Sequence, residues 1–172
     1  NQNTVLAAVS TLYDCINELF IDVKINPFRI SEIAVAIEHM DLLKEFLPKE
    51  EKSLVVFDKN YAGIRLIDHM IESNLSFLIR VSTGRYKRER EMLTKENPDQ
   101  WIDVKYDATR LNHYKDDRHF YNKLSKTTYK LRFVKLFTTN SKNEPQEDYF
   151  VTNISDGDFP YESIYDLYHL RW

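Results

Sequence analysis

At 172 residues, with 42% hydrophobic and 13% aromatic side chains, the chain is long enough to bury a core and too apolar to be disordered. Cys15, its one cysteine, excludes a disulfide frame and a thiolate zinc site, and glycines only at Gly63, Gly84 and Gly157 exclude phosphate-cradling loops of the P-loop or dinucleotide type. The net charge of −3 is uneven: residues 84–135 carry 14 Lys+Arg against 8 Asp+Glu, between acidic flanks.

A basic block inside an acidic chain is the composition of a protein that meets a polyanion through that block alone; a solvated mixed-charge surface is the other reading. No window approaches the apolar length of a membrane span and no basic start precedes an apolar run, so no membrane partner is expected and the reducing cytosol is the expected compartment.

In chain order, Val5 to Tyr13 reads as a strand, Asp14-Cys15-Ile16-Asn17 as a turn, and Leu19 to Ile25 as a second strand. Leu19, Ile21, Val23 and Ile25 share one face of it, and the two strands are expected to pair as an antiparallel hairpin. Asp14 and Asp22 are read as turn or surface acids rather than metal ligands. Asn26-Pro27 breaks the run. Ser31 is an N-cap candidate with Glu32 at the positive end of the helix dipole, and Ile33, Ile37, Met40, Leu43 and Leu47 form an apolar stripe up to Pro48. His39 is expected on the polar side or edge of this helix.

Leu54-Val55-Val56-Phe57 then reads as a strand buried on both faces, stopped by Asp58. A carboxylate at the carboxyl end of a central strand sits where open α/β sheets keep their chemistry, which makes Asp58 a candidate catalytic or metal-binding residue. A cap on the next turn is the alternative. Ile64, Ile67 and Ile71 mark the buried face of a second helix with His69 outward, Asn74 stops it, and Leu75 to Val81 forms a strand parallel to the Asp58 strand.

Arg85, Lys87, Arg88 and Arg90 open the basic block, which continues through segments carrying Trp101, Tyr106, Tyr114, Phe120 and Tyr121. In Tyr129-Lys130-Leu131-Arg132-Phe133 the alternation is expected to turn Lys130 and Arg132 outward. Cations interleaved with aromatics suit phosphate contacts and base stacking, although most of these aromatics are expected to form a small core of their own. The organisation expected is a core over 1–83, a β-rich insertion over 84–153, and the start of a last core helix over 154–172.

Four stretches together resemble the IS4-type transposases, within the DDE recombinases with a ribonuclease H-like catalytic core: Leu12-Tyr13-Asp14 with Ile21-Asp22, Ser31-Glu32, Phe57-Asp58-Lys59-Asn60-Tyr61, and Tyr168-His169-Leu170-Arg171-Trp172. Tyr149 to Ile154 adds to the likeness, which spans nearly the whole chain. The resemblance implies an α/β fold, a ribonuclease H-like mixed β-sheet flanked by helices with a β-rich insertion before the last helix. It implies three carboxylates around two Mg²⁺ or Mn²⁺ ions, one metal activating water or a 3′-hydroxyl and the other stabilising the leaving oxygen.

Asp58 matches the second of these acids, a catalytic residue and metal ligand. Tyr168 and Arg171 match the first two members of the family's tyrosine–arginine–glutamate–lysine signature and are expected on transposon-end phosphates, where a planar guanidinium binds well. Arg85, Lys87, Arg88, Arg90, Lys130 and Arg132 complete the expected DNA contacts. The implied partner is double-stranded DNA, with a homodimer in the synaptic complex of a bacterial, nucleoid-associated enzyme. The chain departs from the pattern at two acids: the signature's glutamate falls at the fourth position after Arg171, and the first aspartate belongs on a strand before the hairpin. A transposase fragment, inactive alone, is therefore expected; a catalytically dead or regulatory DNA-binding remnant is the alternative, and an unrelated ribonuclease H-like nuclease a third.

Overall fold

The computed structural model describes residues 6–48, 52–139 and 142–171; Val5 and Trp172, both part of the expectations above, lie outside them. β1 (Ala7–Asp14) and β2 (Leu19–Pro27) pair antiparallel as a two-stranded sheet, with a register shift between Leu12 and Tyr13. Asp14 closes the turn, its Oδ1 accepting the Ile16 and Asn17 N–H groups at 2.9 and 3.0 Å. The apolar row that shares one face of β2 points outward: Leu19, Ile21, Val23 and Ile25 are 61%, 39%, 51% and 75% exposed. Ser10, Asp22 and Lys24 occupy the alternate, less exposed row, because it is this side of the hairpin that meets α1 (Glu32–Phe46).

Ser31 caps α1, its Oγ accepting the Ala34 N–H at 3.4 Å. The buried stripe of α1 is Val35, Ala36, His39, Met40 and Leu43, with Ile33, Ile37 and Leu47 only partly covered. The expectation for His39 is thus corrected: it is 3% exposed, since the stripe is rotated toward the hairpin by the contacts that the hairpin makes.

β3 (Leu54–Phe57) runs parallel to β4 (Ser76–Arg80), joined by a 3₁₀ turn over Lys59–Tyr61 and α2 (Ile64–Glu72). Leu66, Ile67 and Met70 of α2 are fully buried, whereas Ile71 is 38% exposed. Asn74 ends the helix in the left-handed region at φ 55°, a conformation that asparagine tolerates better than most residues.

The remaining chain does not fold as a body of its own. α3 (Lys87–Glu91), β5 (Asp99–Lys105), α4 (Ala108–Leu111) and α5 (Arg118–Lys126) lead into β6 (Thr128–Thr139) and β7 (Pro145–Thr152), and these three strands extend the first sheet in the order β3-β4-β7-β6-β5. β7 pairs antiparallel with both β4 and β6, and β6 with β5. Aromatics of the middle segment accordingly join the common core: Tyr86, Phe120, Tyr129 and Phe133 share a cluster with Phe57, Phe77 and Ile79.

The two faces of the sheet are covered by different elements. On one face α1, α2 and α5 pack on Phe77, Ile79, Leu131, Phe133 and Val151. On the other, α6 (Ile164–His169), entered through a 3₁₀ turn at Tyr161–Ser163, sets Ile164 and Tyr168 against Leu78, Val134, Leu136 and Phe150. The fold is therefore mixed α/β, a five-stranded mixed sheet flanked by helices, of the ribonuclease H-like kind.

β6 lies inside this sheet and is buried on both faces from Leu131 to Leu136, so alternation along it does not separate core from solvent. Lys130 is exposed, but Arg132 is 0% exposed. Its guanidinium donates to Asp99 at 2.8 and 2.5 Å and to the Phe159 carbonyl at 2.7 Å. The outward orientation expected for Arg132 is corrected by this pair: a buried guanidinium persists because a carboxylate and a carbonyl take its donors.

Candidate active site

Asp58 stands at the end of β3, where the apolar run stops and the chain turns. Its Oδ1 accepts the Lys59 N–H at 2.7 Å, so the capping role that the sequence left open is real. The same oxygen accepts the Tyr168 hydroxyl at 3.2 Å and lies 3.7 Å from Nη2 of Arg171. Arg171 closes the triangle by donating from Nη2 to the Tyr168 oxygen at 3.0 Å, with its guanidinium 4.8 Å from the Tyr168 ring centre. The Lys59 N–H, the Tyr168 hydroxyl and the Arg171 guanidinium all approach Oδ1.

The two partners arrive from the other end of the chain because α6 is anchored underneath. Tyr168 is 5% exposed, edge-on to Phe150 at 5.0 Å, so the ring is a core side chain and the hydroxyl alone reaches Asp58. Arg171 lies three residues on, one turn along the same face. Partial burial pushes the Asp58 pKa up, but the Lys59 N–H, the Arg171 charge, the Tyr168 hydroxyl and the Lys59 charge together bring it below the usual carboxylate value. Asp58 is held ionised. Burial raises the Tyr168 pKa, with the Asp58 charge adding to it and Arg171 opposing, so its hydroxyl stays a donor.

Asp58 and Arg171 open onto a trough of about 1010 Å³ whose walls include Ser10 and Leu12 of β1, His39 and Met40 of α1, and Val55 of β3. Among the described residues β1 pairs only with β2, and β3 only with β4, so an unpaired strand edge borders the trough on each side. The trough wall also holds His39, which the sequence pattern placed on the polar side or edge of α1 rather than in a site. His39 Nδ1 is 2.8 Å from Asp22 Oδ2 and its Nε2 is 3.0 Å from Ser10 Oγ, tying both hairpin strands to α1. A signal for it exists in the sequence: Val35, His39 and Leu43 follow at four-residue spacing on one helix face. Asp22 is thereby an internal anchor and Asp14 a turn residue.

The basic run lies elsewhere and is largely engaged. Arg85 donates to the Ala62 carbonyl at 3.4 Å, tying the start of the basic segment to the turn after Asp58. Arg90 donates to the Thr83 carbonyl at 2.6 Å and stacks 4.1 Å over Tyr149. Arg88 pairs with Asp107 at 2.5 Å, and Lys87 lies exposed, 3.9 Å from Glu91. Glu89, in the middle of the run, is buried and takes both Arg110 amino groups at 2.7 and 2.8 Å.

The donor set around Asp58 falls short of a metal cage. Among the described residues no three His, Cys, Asp or Glu side chains gather to hold an ion, so Asp58 offers one oxygen ligand and not a complete site. No helix among the described residues is long and apolar enough to cross a membrane. In comparison with known proteins, the sequence profile described as the transposase DDE domain matches residues 6–172. No curated protein gives a match.

Proposed function

The chain belongs to the transposase DDE domain family, and we propose that it is the core of an IS4-type transposase in which Asp58 is one of three acids for cutting and joining DNA at transposon ends. The family generally uses divalent metal ions and acts on DNA. The observation that carries the reading is the Asp58–Tyr168–Arg171 triangle, which joins positions 110 residues apart at one end of the sheet.

In this reading each residue has its own task. Asp58 stays ionised and presents Oδ2 while Oδ1 is held by the Lys59 N–H and the Tyr168 hydroxyl. Arg171, whose planar guanidinium borders the trough, binds a transposon-end phosphate, and Tyr168 orients both. Mg²⁺ or Mn²⁺, when bound in a complete two-metal site, activates the attacking oxygen and stabilises the leaving one. Two further carboxylates are needed for that. The edges of β1 and β3, unpaired among the described residues, offer backbone partners to an extended strand lying in the trough beside Asp58, which supports the reading that one of the two further acids enters there. A homodimer holding two ends together belongs to the same proposal.

The test is Asp58→Asn in the intact protein, assayed with a labelled transposon-end duplex and Mn²⁺. Cleavage should fall by at least about a thousandfold while end binding stays within a fewfold of wild type, the order expected for a group acting at the reacting phosphate. Undiminished cleavage removes Asp58 from the catalytic set. A second reading, a DNA-binding remnant without chemistry, is favoured by the incomplete donor set among the described residues. It predicts end binding with no metal-dependent cleavage in the wild type itself.

A further inference from the structure

At the corner of the sheet far from Asp58, a second concavity of about 380 Å³ is lined by Arg88 of α3, Lys105 at the end of β5, Asp107, Lys126 at the end of α5 and Thr128 at the start of β6. We infer that it is a binding site for a backbone phosphate of double-stranded DNA, separate from the Asp58 site and held by Lys105, Lys126 and Arg88.

The charges are brought together by the fold. Lys105 lies opposite Thr128 in the β5–β6 register, and Lys126 precedes that strand by two residues. Asp107 is the one carboxylate in the lining, and both of its oxygens are taken: Oδ1 accepts the Arg110 N–H at 3.0 Å and Oδ2 the Arg88 guanidinium at 2.5 Å. Lys105 and Lys126 form no ion pair among the described residues. Lys126 sits in the last turn of α5, where the carbonyl end of a helix attracts a cation. That accounts for Lys126; Lys105, outward on the edge strand β5, is gathered with it and Arg88 at the one concavity. The hydroxyls of Ser125 and Thr127, also in the lining, donate to backbone carbonyls within α5, so recognition falls to the cations.

Position favours DNA over a free anion. Phe57, next to Asp58, lies in one row with Ile79, Val151, Phe133 and Gln100 across the five strands. Lys105 is on the opposite edge strand, five residues beyond Gln100, roughly 25 Å from Asp58 at ordinary strand spacing and rise. That separation corresponds to about seven base-pair steps, so a duplex of ordinary length is long enough to bring a second phosphate contact to this corner. The lining is polar and cationic with one aromatic ring, which suits a phosphate rather than the apolar side chains of a peptide. The choice of DNA rests on the transposase reading above.

The experiment is fluorescence anisotropy of a labelled 30-base-pair duplex between about 50 and 200 mM salt, comparing wild type with Lys105→Gln/Lys126→Gln and with Lys44→Gln on α1 as a charge control. Both lysines are exposed, so the double variant should fold. The double variant should bind about tenfold or more weakly at low salt, with a log–log salt slope shallower by roughly 1 to 2, and the control should match wild type. An affinity and slope equal to wild type overturn the inference while leaving the Asp58 reading intact. A wild type that binds no duplex at all overturns both. Titration of inorganic phosphate, followed by amide shifts at Lys105, Lys126 and Thr128, separates the sources. Saturation there together with an unchanged DNA slope means a free-phosphate site and also overturns the inference; shifts that DNA displaces support it.

Discussion

The hairpin and the five-stranded sheet are built from similar residues and solve burial in opposite ways. In the sheet, Phe77, Leu78, Ile79, Leu131, Phe133 and Val134 are all 0% exposed, and both faces are covered by helices. In the hairpin the apolar row Leu19, Val23 and Ile25 faces outward, and the row turned to α1 carries Ser10, Asp22 and Lys24. The sheet is held by apolar area; the hairpin is held by its own ladder, by hydrogen bonds to His39, by the Lys24–Glu38 pair at 3.4 Å and by Leu12 packed on the core. Alternation therefore defines two faces of a strand without saying which one meets the rest of the molecule. Asp58 sits at the junction of these two regimes, where β3 borders the trough that the hairpin walls on the other side.

Three changes sharpen this contrast. The largest effect is expected inside the sheet. Arg132→Ala leaves the Asp99 carboxylate without its partner in a largely buried place and should lower unfolding free energy by about 3–5 kcal/mol. Asp99→Leu combined with Arg132→Met should restore most of that loss in urea denaturation. If Arg132→Ala is as stable as wild type, the buried pair is not what closes the sheet against Phe159.

His39→Ala should cost less, about 1–3 kcal/mol, because it removes two hydrogen bonds at the hairpin and not a central packing element. Amide hydrogen exchange should accelerate over Ala7–Asp14 and Leu19–Pro27 and remain slow over Thr128–Thr139. Acceleration spread evenly over both regions would mean that the hairpin and the sheet open as one unit. The smallest effect is expected at the outward row: Ile25→Ser, at a position 75% exposed, should change stability by no more than about 0.5 kcal/mol. A loss of several kcal/mol there, in the intact protein, would mean that this row is covered in solution and that the contrast between the two regions is not intrinsic.

Much of the candidate site is legible in the sequence. Asp58 does end an apolar strand, but that strand, expected to be central and buried on both faces, is half-buried over 54–56 and lies at the sheet edge among the described residues. A Ser31 cap, an Asn74 stop and the three-residue spacing of Tyr168 and Arg171 each follow from local rules and appear as expected. These features depend on residues within one or two turns of each other, where propensity, capping and periodicity act. The convergence of Tyr168 and Arg171 on one Asp58 oxygen is only implied by family likeness, because nothing local links positions 110 residues apart.

What the sequence determined by itself was the hairpin, α1, β3, α2, β4 and the last helix, the acid at the end of β3 and the uneven distribution of charge; α3, β5, α4 and α5, in the segment read as a β-rich insertion, were not legible in it. Tertiary structure alone decided direction. Arg132 is buried because β6 lies inside the sheet and the Phe159 segment leading into α6 covers its face, His39 because the hairpin docks on its side of α1, and Lys105 and Lys126 line one concavity because β5 registers with β6. The physical reason is the same in each case. A side chain's environment is fixed by the non-local partner of its element, and the alternation of a single strand or the stripe of a single helix carries no record of that partner.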